Sequence, residues 1–162
     1  PRTSGRGRDA RRRQTIVPTR SVTRLAVVLA LLAVPWSVQT FVGARPPGFV
    51  FAWGLLNFDP LSVTFLWDFL FRYTMGLPDY ILAWPLSVAC YCVALASAAV
   101  GYLFDREDPR VTAGLLAAAG VAQLTLAQEF SFQPGRAGWP LGTAACWLVA
   151  WWVYRGRDAP AD

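Results

Sequence analysis

Few side chains in this sequence are of a type and spacing that could do chemistry. Thr64, Asp68 and Arg72 recur every four residues, so a helix would set them in one polar line, with Asp68 and Arg72 as an i,i+4 ion pair. Trp67 and Phe71 flank that line. Trp67, Asp68, Phe71 and Arg72 are therefore the candidate interaction surface. A second polar group, Gln123, Thr125 and Gln128 with Glu129 behind it, sits in an apolar run. Polar residues there serve either interhelical hydrogen bonds or a solute path. Their obvious partners are Ser87 and Thr143. Cys90 and Cys92 are two apart, so they face different sides of a helix, and Cys146 lies in another run. The three read as small apolar packing residues. Histidine is absent, which removes the commonest metal ligand and the side chain that titrates near neutrality. No buried acid pair and no nucleophile with a neighbouring base is visible. No catalytic, cofactor or metal residue is assigned, and the chain is read as a non-enzyme.

The elements that would position these residues are long apolar runs. Hydrophobic residues make up 55% of the 162 residues and charged ones 15%, below the roughly 25% of ordinary domains. Four runs stand out: Thr23–Val42, Tyr80–Phe104, Val111–Gln128 and Ala137–Tyr154. Each has about 18 to 25 residues, enough for a helix to cross a hydrocarbon layer of roughly 30 Å. The expected fold is an all-α integral membrane protein with four transmembrane helices plus one outer interfacial amphipathic helix.

Charge supplies the orientation. The net charge is +5, and all 15 basic residues are arginine. Arg2, Arg6, Arg8, Arg11, Arg12, Arg13 and Arg20 precede the first run and Arg24 stands at its start, Arg106 and Arg110 lie between the second and third, and Arg155 and Arg157 follow the last. The positive-inside rule places these segments, and so both termini, in the cytoplasm of a cell-membrane protein. A signal peptide cleaved near Val42-Gly43-Ala44 is the rival reading, although the apolar run is long for one. The organisation is then a basic disordered tail (1–22), a membrane domain (23–155) with an outer segment (43–79), and a cytoplasmic tail (156–162). The basic tail has no interleaved aromatics, so no specific nucleic-acid binding is expected; the partners are the bilayer and another membrane protein or a second copy.

The outer segment is long and aromatic. Arg45-Pro46-Pro47-Gly48 is a turn signal, and Asp59-Pro60 reads as a helix start that runs to about Thr74 and stops at Gly76-Leu77-Pro78. Small residues recur at four-residue spacing around Gly138 and Gly142, Gly114 and Ala118, and Ser97 and Gly101. Such stripes let membrane helices approach closely. Gly138, Gly142, Gly114 and Gly101 are the expected packing positions. Leu82-Ala83-Trp84-Pro85-Leu86-Ser87 echoes Leu32-Ala33-Val34-Pro35-Trp36-Ser37, a short match in an apolar background.

The strings Pro35-Trp36-Ser37-Val38-Gln39, Trp53-Gly54-Leu55-Leu56-Asn57, Trp67-Asp68-Phe69-Leu70-Phe71-Arg72-Tyr73-Thr74 and Val111-Thr112-Ala113-Gly114-Leu115 resemble a family of small, uncharacterised multi-pass membrane proteins of halophilic archaea. Its genes often lie near that of an excision-repair ATPase. The resemblance spans residues 24 to 155 and implies no activity or active-site residue. The functional expectation is a non-catalytic accessory or assembly component that binds another membrane protein or itself. A small transporter or channel subunit is the alternative, suggested by the proline-bearing runs.

Overall fold

The computed structural model describes residues 19–43, 45–72, 79–104 and 106–156. The arginines of 1–18, the stop signal at Gly76-Leu77-Pro78 and the tail from Arg157 onward lie outside those residues.

The first apolar run is not one helix. Helix α1 covers Thr19–Ala30, and its 12 residues reach only about 18 Å. Pro35 ends it early: proline cannot donate to the helix ladder and pushes the preceding residue toward extended backbone. The rest of the run becomes strand β1, Ser37–Phe41. Aromatic side chains take up the carbonyls left open at the end of α1. Tyr91 Oη donates to the Val28 carbonyl at 2.9 Å, Trp36 Nε1 to Leu31 at 2.9 Å and Trp53 Nε1 to Leu32 at 3.1 Å.

The outer segment is a sheet rather than a loop and a helix. Strands β2 (Gly48–Val50), β3 (Gly54–Phe58) and β4 (Leu61–Phe65) follow β1 as a meander. Asp59-Pro60, read as a helix start, instead makes the two-residue connection between β3 and β4, with Phe58 opposite Leu61 and a cis peptide bond. Leu61-Ser62-Val63-Thr64-Phe65 alternates apolar and polar with β-branched and aromatic residues, the period of a strand. The expected interfacial helix shrinks to α2, Leu66–Arg72.

Beyond it, a 3-10 turn at Asp79–Leu82 leads into α3, Ala83–Phe104. Helix α4 spans Pro109–Ser131. It starts on Asp108, whose carboxylate accepts from the Arg110 amide at 2.9 Å, with Pro109 in the first turn, where a missing amide costs little. The fourth run divides like the first. Strand β5, Arg136–Trp139, precedes Pro140 and helix α5, Leu141–Arg155, whose 15 residues reach about 22 Å.

The all-α, four-span expectation is therefore corrected. The described residues form a mixed structure of five α-helices and a five-stranded antiparallel sheet ordered β4-β3-β2-β1-β5. Among the described residues, two helical segments are long and apolar enough to cross a membrane, Asp79–Phe104 and Pro109–Ser131. Hydropathy summed apolar residues over 37–42 and 137–139 without regard to their period, and so merged strands with the helices beside them.

The helices α1, α3, α4 and α5 share a core of small side chains, with Ala94, Ala98, Leu116, Ala119, Cys146 and Val153 fully or almost fully buried around Tyr91 and Trp36. Trp36 and Tyr91 meet edge to face at 5.2 Å. The sheet sits across the end of the bundle formed by the start of α3 and the close of α4, where Val50 packs with Trp84 and Leu126.

Candidate interaction surface

Strand register fixes what each face of the sheet presents, because directly paired residues point the same way. Ser37 pairs with Val50, Val50 with Leu55, Leu55 with Thr64, and Asn57 with Ser62. These residues, with Gln39 and Phe41 of β1, face the bundle. Phe41 meets Phe130 of α4 edge to face at 6.0 Å, and the Arg136 guanidinium lies over both rings. Trp84 Nε1 donates to the Phe51 carbonyl at 3.1 Å and joins α3 to the β2–β3 turn.

The opposite face carries Trp139, Val38, Phe49, Leu56, Phe58, Leu61, Val63 and Phe65. In β4 the usual arrangement is inverted: Leu61, Val63 and Phe65 are exposed, while Ser62 and Thr64 turn inward. Leu61 is 73% exposed. An exposed run of this kind on an unpaired edge strand is uncommon, since such edges recruit other chains.

One corner of this face is built from stacked rings. Phe51 stacks on Trp53 at 5.0 Å, Trp53 leans on Phe65 at 6.3 Å, and Phe65 stacks on Trp67 at 4.8 Å. The Leu66 amide donates to the Trp53 carbonyl at 3.1 Å, and Trp53 Nε1 is held by the end of α1. The row of rings is thus fixed before anything meets it.

The four expected surface residues all lie on α2. Trp67 and Phe71 are exposed and extend the aromatic corner, whereas Phe69 turns in against Trp84 at 5.2 Å. Asp68 and Arg72 are 3.9 Å apart and Arg72 is largely exposed. Thr64 lies in β4 rather than on a helix, so the polar line of three becomes a pair. The alternation of 61–65 signals Val63 and Phe65 as one face of a strand, whereas no local pattern marks Phe51 and Trp53 as part of the surface.

The packing glycines have different surroundings. Gly142 lies against Trp36, where an added Cβ would come within 2.7 Å of the tryptophan Cα, and its amide donates to the Trp36 carbonyl at 2.7 Å. Gly101 faces the Glu107 side chain, and Gly138 is in β5 against the Ala127 backbone. Gly114 borders open space.

The polar residues of α4 work within the protein. Gln123 Nε2 donates to Ser87 Oγ at 3.0 Å, and Thr143 Oγ1 donates to the Gly120 carbonyl at 2.8 Å. Thr125 returns its hydroxyl to Val121, and Gln128 and Glu129 are exposed. At the end of the bundle away from the sheet, Arg24 pairs with Glu107 at 3.2 Å, with both side chains largely buried, and Thr112 donates to Glu107 and Ser97. Cys146 is buried, Cys90 half-buried and Cys92 exposed, and all three are free thiols.

The chain belongs to the family described as a domain of unknown function, DUF8050, which matches residues 5–160. No curated protein matches it.

Proposed function

We propose that this protein is a small, non-catalytic membrane component that docks a partner protein on the outward face of its sheet. The observation that carries this reading is β4, an edge strand with Leu61, Val63 and Phe65 outward beside the preset row of rings. The partner would cover that face and pair with the edge, the strand-addition mode of recognition. Membrane residence is supported by α3 and α4, each long and apolar enough to span. It is supported too by large apolar side chains on the outside of the bundle, among them Leu86, Val93, Leu103 and Leu148. Arg24, Arg106, Arg110 and Arg155 gather at the end of the bundle opposite the sheet, which supports a cytoplasmic placement of that end in the cell membrane. The likeness to membrane proteins of halophilic archaea belongs with this reading.

Affinity purification of the full chain from native membranes tests it. Wild type should bring down a membrane protein in stoichiometric amount, and Val63→Asp should lose it while the protein stays in the membrane fraction. Undiminished recovery with Val63→Asp refutes the docking face. A small transporter or channel subunit is the second reading, favoured by the buried Gln123 Oε1, which accepts no hydrogen bond. Solute flux in liposomes that Gln123→Leu abolishes would favour it instead.

A further inference from the structure

An open groove of about 640 Å³ runs between α4 and α5, on the flank of the bundle rather than at its sheet end. Its size is within the roughly 300–1,000 Å³ of ligand pockets. Gly114 and Ala118 form the floor, and Trp147, Trp151 and Tyr154 form one wall. From Arg110 to Val121 it is roughly 16 Å long at the helical rise.

The groove is shaped in advance. Trp147 Nε1 donates to the Ala117 carbonyl at 3.1 Å, which pins the indole so that its face lines the space. Its ends differ in charge. Arg110 lines one end, and the Arg155 guanidinium lies 4.0 Å above the Trp151 ring at the same end. Among the described residues neither arginine pairs with an acidic side chain. The rest of the lining is almost wholly apolar.

We infer that this groove holds the hydrocarbon tail of one anionic phospholipid, with the headgroup phosphate on Arg110 and Arg155. The inference rests on the membrane reading above. A tail fits a long apolar trough, and two guanidiniums at one end, with no acidic partner among the described residues, complement a phosphate. The rings give the tail a rigid wall on one side, and the absence of a Gly114 side chain leaves the floor clear.

Gly114 gives a clean test, because a Cβ built there meets nothing within 4 Å. Gly114→Leu fills the groove without touching the packed core. The full chain is extracted in mild detergent, titrated with dioleoylphosphatidylglycerol or dioleoylphosphatidylcholine at 0.15 M salt, and weighed by native mass spectrometry. Wild type should retain one phosphatidylglycerol, in clear preference to phosphatidylcholine. Gly114→Leu should retain neither, with unchanged thermal stability. Arg110→Gln should keep a lipid but lose about fivefold of the preference, the effect of one arginine near an anionic phosphate. Equal retention by wild type and Gly114→Leu overturns the groove, as does a dimer that Gly114→Leu dissolves, since a second copy would then be the occupant. A wild type recovered from the membrane fraction but carrying no lipid also overturns it, and leaves the membrane reading intact. Recovery in the aqueous fraction without detergent removes both.

Discussion

The bundle and the sheet both turn large apolar side chains outward, yet they cannot face the same surroundings. In the middle turns of α3 and α5 the backbone groups are bonded within the helix, so Val93 or Leu148 outside leaves nothing unsatisfied in hydrocarbon. Strand β4 is different. Among the described residues its outer side has no strand partner, so backbone amides and carbonyls face outward there beside Leu61, Val63 and Phe65. Lipid cannot bond those groups. On the membrane placement proposed above, side-chain exposure alone would assign both regions to the bilayer; the backbone divides them, giving the helices to lipid and the sheet to water or another protein. The interiors differ in the complementary way. Small residues and bonded polar groups fill the bundle, and wide aromatic rings fill the junction with the sheet.

Mutations should break or sharpen this division, beginning with the inside of the bundle. Glu107→Ala leaves Arg24 charged and largely buried without its partner and should cost about 3 kcal/mol or more, read as detergent unfolding. A loss under about 1 kcal/mol would mean that the pair is effectively solvated. Gly142→Leu strikes the joint between the two regions, where Trp36 cannot withdraw. About 1–3 kcal/mol should be lost there, and a comparable amount at Gly101→Leu, where an added Cβ meets the Glu107 Cβ and Arg24 holds the Glu107 carboxylate. The same thermal assay measures both, and an unchanged midpoint for Gly142→Leu would refute the close packing of α5 on β1. Trp36→Phe keeps an aromatic ring but drops the N–H to Leu31 and leaves part of a fully buried site empty, so about 1–3 kcal/mol should go. Hydrogen exchange should then rise first at the end of α1. The smallest effect belongs to the sheet side: Asp68→Asn combined with Arg72→Ala should change stability by less than about 1 kcal/mol, because the pair is exposed. A larger drop would show that α2 is held by charge rather than by Phe69 on Trp84.

The sequence made α3 and α4 legible because the apolar runs Tyr80–Phe104 and Val111–Gln128 contain no charged side chain and are separated by the charged turn at 105–110. It misled at α1 and α5, where Pro35 and Pro140 divide runs of even hydropathy into a strand and a helix. Pro35 closes off α1 and Pro140 stands at the start of α5, so each marks a boundary that hydropathy alone does not register. The same happened at Asp59-Pro60, where a local capping pattern outweighed the two-residue period that follows. Of the interaction surface, Trp67 and Phe71 were legible from exposure on a short helix. The rings beside them were not, since Phe51, Trp53 and Phe65 meet only once β2, β3 and β4 are in register. The lipid-sized groove was half legible: Gly114 stood out as a small residue, but the wall comes from α5, and no local pattern pairs Gly114 with Trp147 or Trp151.

The pairing of β1 with β5 also sets an order of events. Thr40 and Ala137 are partners 97 positions apart. At about 5–20 residues per second of synthesis, the strand needed to close the sheet emerges roughly 4–15 s after the meander β1–β4. Throughout that interval β1 has a vacant side, while α3 and α4 are still being made. The nascent chain thus offers two edges and the finished one offers β4 and the far side of β5. Any passing strand that reaches β1 in those seconds competes with the protein's own last strand, so fidelity of assembly here is a race as well as an equilibrium.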